Sequence, residues 1–344
     1  MSTDEKQPTQ QDNVRQPQHD PFFRSTFEDQ RLFRELLIWL VPFVVELLDL
    51  DRLELQKDSL IDEKLKTHYS DLLCKIPVRD TDKNIVVFIL LEHKASSEYW
   101  TMLQVLRYVV EIWVREYNAA KEQNRLADFM LPPVLPVIVY HGERGFKAPI
   151  RLGKLIRPIR DFAKYQLDFE AILLDLTNFD KTKSPEDLEL FAVLAIMQAV
   201  FRKDAAKRVS KIYQKIKHKL GDPQYSGRWV KLLRYMITSS KYFTYHNLNE
   251  VTSQMSDTEV ATISPCLEEL MAIGFEKGIE KERNAWVADK IETLLRILTK
   301  NFGNVSPSLR EKLNIIHDID VLGQLTDYAL DCDSLDEFMK VLEK

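Results

Sequence analysis

The stretch Ile85-Val86-Val87-Phe88-Ile89-Leu90-Leu91-Glu92-His93-Lys94 decides the fold. Seven consecutive apolar residues, rich in β-branched types, read as a central strand covered on both faces. The run ends in three polar residues, so those emerge where a buried strand leaves the core. On a strand, side chains two apart share a face. Glu92 and Lys94 are therefore expected on one face and His93 on the other.

Upstream, His68–Arg79 alternates like a second strand, and Arg52–Gln56 reads as a short one. The Asp80-Thr81-Asp82-Lys83-Asn84 sequence between the two longer segments is turn-like, so a hairpin is expected there. That hairpin would bring Asp71 beside Glu92 across the ladder. Downstream, Tyr99–Lys121 carries Leu103, Leu106, Val110, Trp113 and Val114 at helical spacing. Val134–Tyr140 and Asp168–Leu176 read as further strands. Asp29–Leu50 reads as helix, apolar on nearly every side and so largely buried, with Pro42 kinking it or starting a second helix. Helix, three strands, helix, strand is an α/β order. From Asp187 onward the pattern is helical only.

Two carboxylates and an ammonium at a strand end suit phosphodiester hydrolysis. Asp71 and Glu92 can hold a hard divalent cation such as Mg²⁺ and leave positions open for water and a phosphate oxygen. Lys94 can orient the nucleophile or stabilise the pentavalent transition state. By spacing alone, a solvated hairpin face showing Asp, Glu and Lys fits equally well.

The words His19-Asp20-Pro21-Phe22-Phe23, Asp62-Glu63, His68-Tyr69-Ser70-Asp71-Leu72-Leu73, Leu91-Glu92-His93-Lys94-Ala95-Ser96, Leu106-Arg107-Tyr108 with Trp113, and Leu135-Pro136-Val137-Ile138-Val139-Tyr140-His141-Gly142 occur in this order. The stretch from His19 to Gly142 thereby resembles the Rpn/YhgA-like transposase family, the recombination-promoting nucleases, within the PD-(D/E)XK nuclease superfamily. The resemblance implies a restriction-endonuclease-like αβββαβ core followed by an all-helical C-terminal half. It also implies Mg²⁺-dependent DNA cleavage linked to recombination or DNA mobility. It carries over Asp71 and Glu92 as metal ligands and Lys94 as the third catalytic position. Many family members have Gln there, so Lys94 matches the superfamily's standard residue and favours activity. Gln104, with Arg107 on the following helix, occupies a place where the superfamily often sets an accessory active-site group. A non-catalytic DNA-binding or protein-interaction scaffold on the same fold is the alternative.

Other residues read more plainly. His19 fits a cap or packing residue better than a chemical one. His68 is structural or phosphate-facing. His93 reads as a hydrogen-bonded core histidine, His141 as a residue that could line the cleft, and Glu46 as solvated. From Arg202 to Arg234 eleven basic residues oppose two acidic ones, with Tyr213, Tyr225 and Trp229 interleaved. Such a face could contact a DNA backbone through counterion release.

The chain as a whole has 344 residues, a formal charge of −5 and nine glycines. An acidic balance counts mildly against nucleic acid, although a local basic surface suffices. Cys74, Cys266 and Cys332 lack metal-ligand spacing and read as reduced thiols. With no secretory leader and no apolar run of membrane length, a cytoplasmic protein without membrane contact is expected. The expected organisation is a disordered tail over 1–18 and a nuclease-like domain over 19–180. A helical region with a basic face follows over 181–270. A charged linker with a small helical module spans 271–344, and Gly274–Asn284, which leads it, reads as a charged, exposed helix or a linker. The words Asn301-Phe302-Gly303 and Asp333-Ser334-Leu335 resemble the family's C-terminal region, read as an interaction or homo-oligomerisation module.

Overall fold

The computed structural model describes residues 19–56, 72–79, 86–94, 96–159, 161–181 and 183–342. It is mixed α/β. Three helices open it: α1 (His19–Phe27), α2 (Gln30–Leu40) and α3 (Pro42–Leu47). Asp29 caps α2, its carboxylate accepting from the Arg31 and Leu32 amides. Pro42 stands at the first position of α3, where its missing N–H costs nothing. The chain thus breaks at Val41 rather than running as one buried helix. Leu32, Phe33, Leu36 and Leu37 of α2 are buried, but Phe43 and Leu47, one turn apart on α3, are exposed.

Strands β1 (Glu54–Gln56), β2 (Leu72–Pro77) and β3 (Val86–Lys94) form an antiparallel meander. Helix α4 (Thr101–Glu122) crosses over to β4 (Val134–Tyr140), which lies parallel to β3. Strand β5 (Ile172–Asp175) adds parallel to β4, giving the order β1-β2-β3-β4-β5. A parallel neighbour cannot be reached by a tight turn, so α4 is the structural consequence of the β3–β4 pairing. One face of α4 packs on the sheet: Met102, Val105, Tyr108 and Val109 join Ile138 and Leu73 in a single apolar cluster. Trp113 is pinned by its Nε1–H donating to the Pro132 carbonyl at 2.9 Å.

Helix α5 (Leu188–Ala199) is apolar all round and buried along its length, as such a helix must be. Then come α6 (Ala205–Ile216), α7 (Pro223–Ser239) and α8 (Tyr245–Thr252). Helix α9 runs from Asp257 to Phe302, so of the two readings of Gly274–Asn284 the helical one holds. Its Glu, Lys and Arg are good helix formers and outweigh the two glycines. Helices α10 (Pro307–Asn314), α11 (Ile319–Asp331) and α12 (Leu335–Leu342) complete the chain. No helix among the described residues is long and apolar enough to cross a membrane.

The fold divides into two compact units after Glu268. The second has its own core, built around Leu294, Leu298, Leu309, Leu313, Leu322 and Phe338. In the first, a buried charge cluster joins three helices. The Glu189 side chain, 2% exposed, accepts from Arg31 of α2 and, at 2.6 Å, from Arg228 of α7. Arg31 also reaches Asp187, and Arg228 reaches Asp29, the α2 cap. Removing one member of a buried pair strands the other charges, which costs about 3–5 kcal/mol. Glu189→Ala should therefore lower unfolding stability by about 3–5 kcal/mol in urea titrations of the intact chain. Asp51→Ala, which breaks the exposed Arg34–Asp51 pair, should cost less than about 1 kcal/mol. Equal losses in the two variants would refute the reading.

Candidate active site

The candidate site stands at the C-terminal end of β3. Leu72 of β2 is the register partner of Leu91, while Glu92 and Lys94 lie opposite Ile138 and Tyr140 of β4. Asp71 lies outside the described residues, as does the side chain of Glu92. Lys94 is 8% exposed, and its ammonium donates to Gln104 Oε1 at 2.8 Å. Gln104 Nε2 in turn donates to the hydroxyl of Tyr108, one helical turn on, at 3.3 Å. A buried ammonium is tolerated only with hydrogen-bond partners or countercharge, and the α4 crossover supplies the first. Lys94 and Gln104 are thus brought together across ten residues of sequence. Arg107, the other basic candidate on α4, is exposed and pairs with Glu111 at 3.1 Å. Among the described residues no cluster of three His, Cys, Asp or Glu side chains could hold a metal ion. The two carboxylates expected to do so, those of Asp71 and Glu92, are outside that set.

The opposite face of β3 is dry. His93 is buried, stacks on Phe23 with ring centroids 4.5 Å apart, and its Nδ1 bonds Asp20 at 2.7 Å. His141, read from sequence as a residue that could line the cleft, is 1% exposed instead. The strand-end position carries it under α5, where its Nε2–H donates to the Met197 carbonyl at 2.6 Å. His19 Nδ1 meets the Tyr235 hydroxyl at 2.5 Å and its ring lies edge-on to His141, centroids 4.9 Å apart. His19, His93 and His141 therefore pack α1 to the sheet and to α7. His93 Nε2 and His141 Nδ1 are buried without a hydrogen-bond partner among the described residues. Burial, and then the neighbouring His93, push His19 down to about 4, Asp20 offsetting part of the effect. Burial holds His141 well below the usual histidine range, with His93 and His19 adding to it.

In the basic run over 202–234, Lys203, Lys207, Lys211, Lys215, Lys217 and Lys219 are exposed, while three other members are engaged within the protein. Arg208 is held by Asp204 and Asp180, Arg228 by Asp29 and Glu189, and Lys231 donates to the Ser25 carbonyl. Burial, and then Arg228, pull Lys231 down to about 8. Tyr213 and Trp229 are core residues, 1% exposed each, and unavailable for stacking. The aromatic interleaving is the inward face of amphipathic helices. A second basic stretch lies elsewhere: residues 144–164 hold seven basic residues and one acidic. It lacks strand or helix periodicity, and a sliding local charge count is the signal that finds it.

The chain matches the family described as "Putative transposase, YhgA-like" over residues 17–226, and it belongs to that family. Over 128 residues it is 31% identical to recombination-promoting nuclease RpnD of Escherichia coli O157:H7, covering 37% of this chain and 46% of that one. It is 26% identical over 125 residues to recombination-promoting nuclease RpnA of E. coli K12, covering 36% and 40%. A 28% match over 126 residues, covering 36% and 39%, is to an E. coli K12 protein named inactive recombination-promoting nuclease-like protein RpnE. The alignments span less than half the length of these three relatives. No solved structure matches the chain.

The histidine cluster makes stability depend on pH. An unfolded chain protonates His19 below about 6.5, whereas the folded chain resists down to about 4. Stability from this group is thus complete above pH 6.5 and lost as pH falls through that window. The melting temperature should drop by several degrees between pH 7 and 4.5, and by less in His19→Gln, which keeps an acceptor without titrating. Identical acid slopes in the two proteins would remove His19 as the cause.

Proposed function

We propose that this protein is a metal-dependent DNA endonuclease of the recombination-promoting type, built on a restriction-endonuclease-like αβββαβ core. The observation that carries the reading is the buried Lys94 ammonium, fixed by Gln104 at the end of β3, two residues from Glu92. Leu72 and Leu91 are register partners, and Asp71 and Glu92 are their immediate neighbours in sequence. Names of relatives that include "recombination-promoting nuclease" support the class.

In this reading Asp71 and Glu92 supply hard carboxylate oxygens, the donor chemistry that Mg²⁺ prefers. A cation held there would lower the pKa of a bound water and offset charge on phosphorus. Lys94 holds its ammonium toward the scissile phosphate and stabilises negative charge that grows in the transition state. Gln104 positions Lys94: its Oε1 accepts from the ammonium, while its amide is steadied by Tyr108. Burial strengthens these interactions, because little water competes. A cytoplasmic site of action fits DNA as the partner, and the second compact unit is assigned to interaction or self-association.

The second reading is a non-cleaving scaffold, favoured by the relative named inactive. Purified protein should nick supercoiled plasmid with Mg²⁺ and not with EDTA. Asp71→Ala and Glu92→Ala should abolish cleavage, and Lys94→Ala should reduce it at least ~100-fold, the usual loss for a transition-state charge donor. Circular dichroism should show each variant folded. A folded wild-type protein that cuts nothing across several divalent metals would move the assignment to the scaffold.

A further inference from the structure

Between β4 and β5 the chain makes an excursion that the proposed chemistry does not use. Its base is tightly closed. Arg151 and Glu170 form an antiparallel bridge, with the Leu152 amide donating to Phe169 and the Ala171 amide to Ile150, both at 2.9 Å. Asp168 clamps the two sides, accepting from Arg151 and from the Gly153 amide. A Cβ at Gly153 would fall 2.8 Å from the Asp168 carboxylate, so the clamp would have to shift to admit one. The described residues between 154 and 167 then lie on a surface loop, closed at its base, of the kind that serves binding in many folds.

The loop carries the wrong side chains for a passive connection. Ile159, Phe162, Tyr165 and Leu167 are 55%, 55%, 71% and 49% exposed. Phe162 and Tyr165 are held by successive turn hydrogen bonds, the Phe162 amide to Ile159 and the Tyr165 amide to Phe162, with ring centroids 6.5 Å apart. Around them stand Lys154, Arg157 and Lys164, the last with its ammonium over the Tyr165 ring at 4.9 Å. Neither Lys154 nor Arg157 has an ion-pair partner among the described residues. Cations flanking exposed rings are the composition that binds unpaired nucleic acid, phosphates on the cations and bases on the rings.

Position ties the loop to the candidate site. Leu152, at its base, packs in one cluster with Met102, Val105 and Tyr108 of α4. Tyr108 is the far end of the Lys94–Gln104–Tyr108 chain. The segment leading into the loop is fastened to Ser97, three residues beyond Lys94, whose Oγ accepts from the Lys147 and Ala148 amides.

We infer that the 154–167 loop is the substrate-gripping element of this protein, binding single-stranded or locally unpaired DNA by stacking bases on Phe162 and Tyr165 while Lys154, Arg157 and Lys164 take the phosphates. The inference rests on the nuclease reading for its DNA partner, and it adds which structure of DNA is engaged and by what.

Binding tests it without cleavage. Fluorescence anisotropy of the full chain in EDTA would compare a labelled single-stranded oligonucleotide with its duplex. Wild type should prefer the single strand. Phe162→Ala/Tyr165→Ala should weaken single-strand binding ~10-fold or more and duplex binding much less. Lys154→Ala/Arg157→Ala should lower the log–log salt slope by about 1.4, at about 0.7 per phosphate on a single strand. All these side chains are exposed, so melting temperatures should not move. Unchanged single-strand affinity in the ring variant overturns the inference. So does a wild-type protein that ignores oligonucleotides but sediments with phosphatidylserine vesicles, which assigns the loop to a membrane surface. Binding through the loop without any cutting would sink the nuclease reading alone. Cutting of single-stranded DNA that the ring variant performs as well as wild type would sink the loop alone.

Discussion

The parallel pairing of β3 with β4 is the constraint from which the remaining geometry follows. Antiparallel neighbours on the β2 side need only a turn, but a parallel neighbour obliges the chain to travel back along the whole sheet. Helix α4 is that return path, and it must start beside the end of β3. Gln104, in its first turn, therefore arrives at Lys94. Tyr108, a turn later, is buried against the sheet and supports Gln104. The arrangement of the candidate site is thus a by-product of topology rather than a loop placed on a finished scaffold.

β3 separates two chemically different environments across one backbone. On one side, His93 is enclosed by Phe23, Asp20 and the His19–His141–Tyr235 group, and burial keeps His19 and His141 neutral. On the other, Lys94 keeps an ammonium on a hydrogen-bonded amide. Successive residues on a strand necessarily face apart. A one-residue slip of register would therefore exchange the cation with the histidine, placing a charge among aromatic rings. The helices α1, α5 and α7, closing over the histidine face, help fix that register.

Much of this was legible in the sequence. The apolar run before Glu92-His93-Lys94 and the strand at 134–140 are continuous apolar segments, as burial on both faces imposes. The helix over 101–122 forms as expected, but Leu103, Val110 and Val114, three of the residues whose spacing announced it, are exposed, and its buried face is Met102, Val105, Tyr108 and Val109. The core role of His93 followed from alternation alone. Other features depend on who neighbours whom, which one sequence does not state. His141 reads as a cleft residue until α5 is known to cover it. Tyr213 and Trp229 look like stacking platforms until α6 and α7 turn them inward. For Gly274–Asn284 the charged sequence left helix and linker both open, and the segment is helical. Asp71 and the carboxylate of Glu92, on which the metal reading turns, lie outside the described residues.

Local charge counts illustrate why position outweighs composition. The 202–234 run has more basic residues than the 144–164 segment, yet its arginines are engaged inside the protein. Arg228 neutralises Glu189, Arg208 bridges Asp204 and Asp180, and Arg202 donates to the Thr177 carbonyl. An arginine so engaged releases few counterions on meeting a phosphate, because its charge is already balanced. Lys154 and Arg157 stand on a loop at whose base Asp168 is taken by Arg151, and neither has an ion-pair partner among the described residues. The smaller cluster stands beside exposed rings, with the helix that holds Lys94 in place at their base, whereas the exposed lysines of the longer run, Lys203, Lys207, Lys211, Lys215, Lys217 and Lys219, have Tyr213 and Trp229 turned inward beneath them. For an acidic protein to engage a polyanion, this concentration of unneutralised charge at one loop matters more than the net balance of the chain.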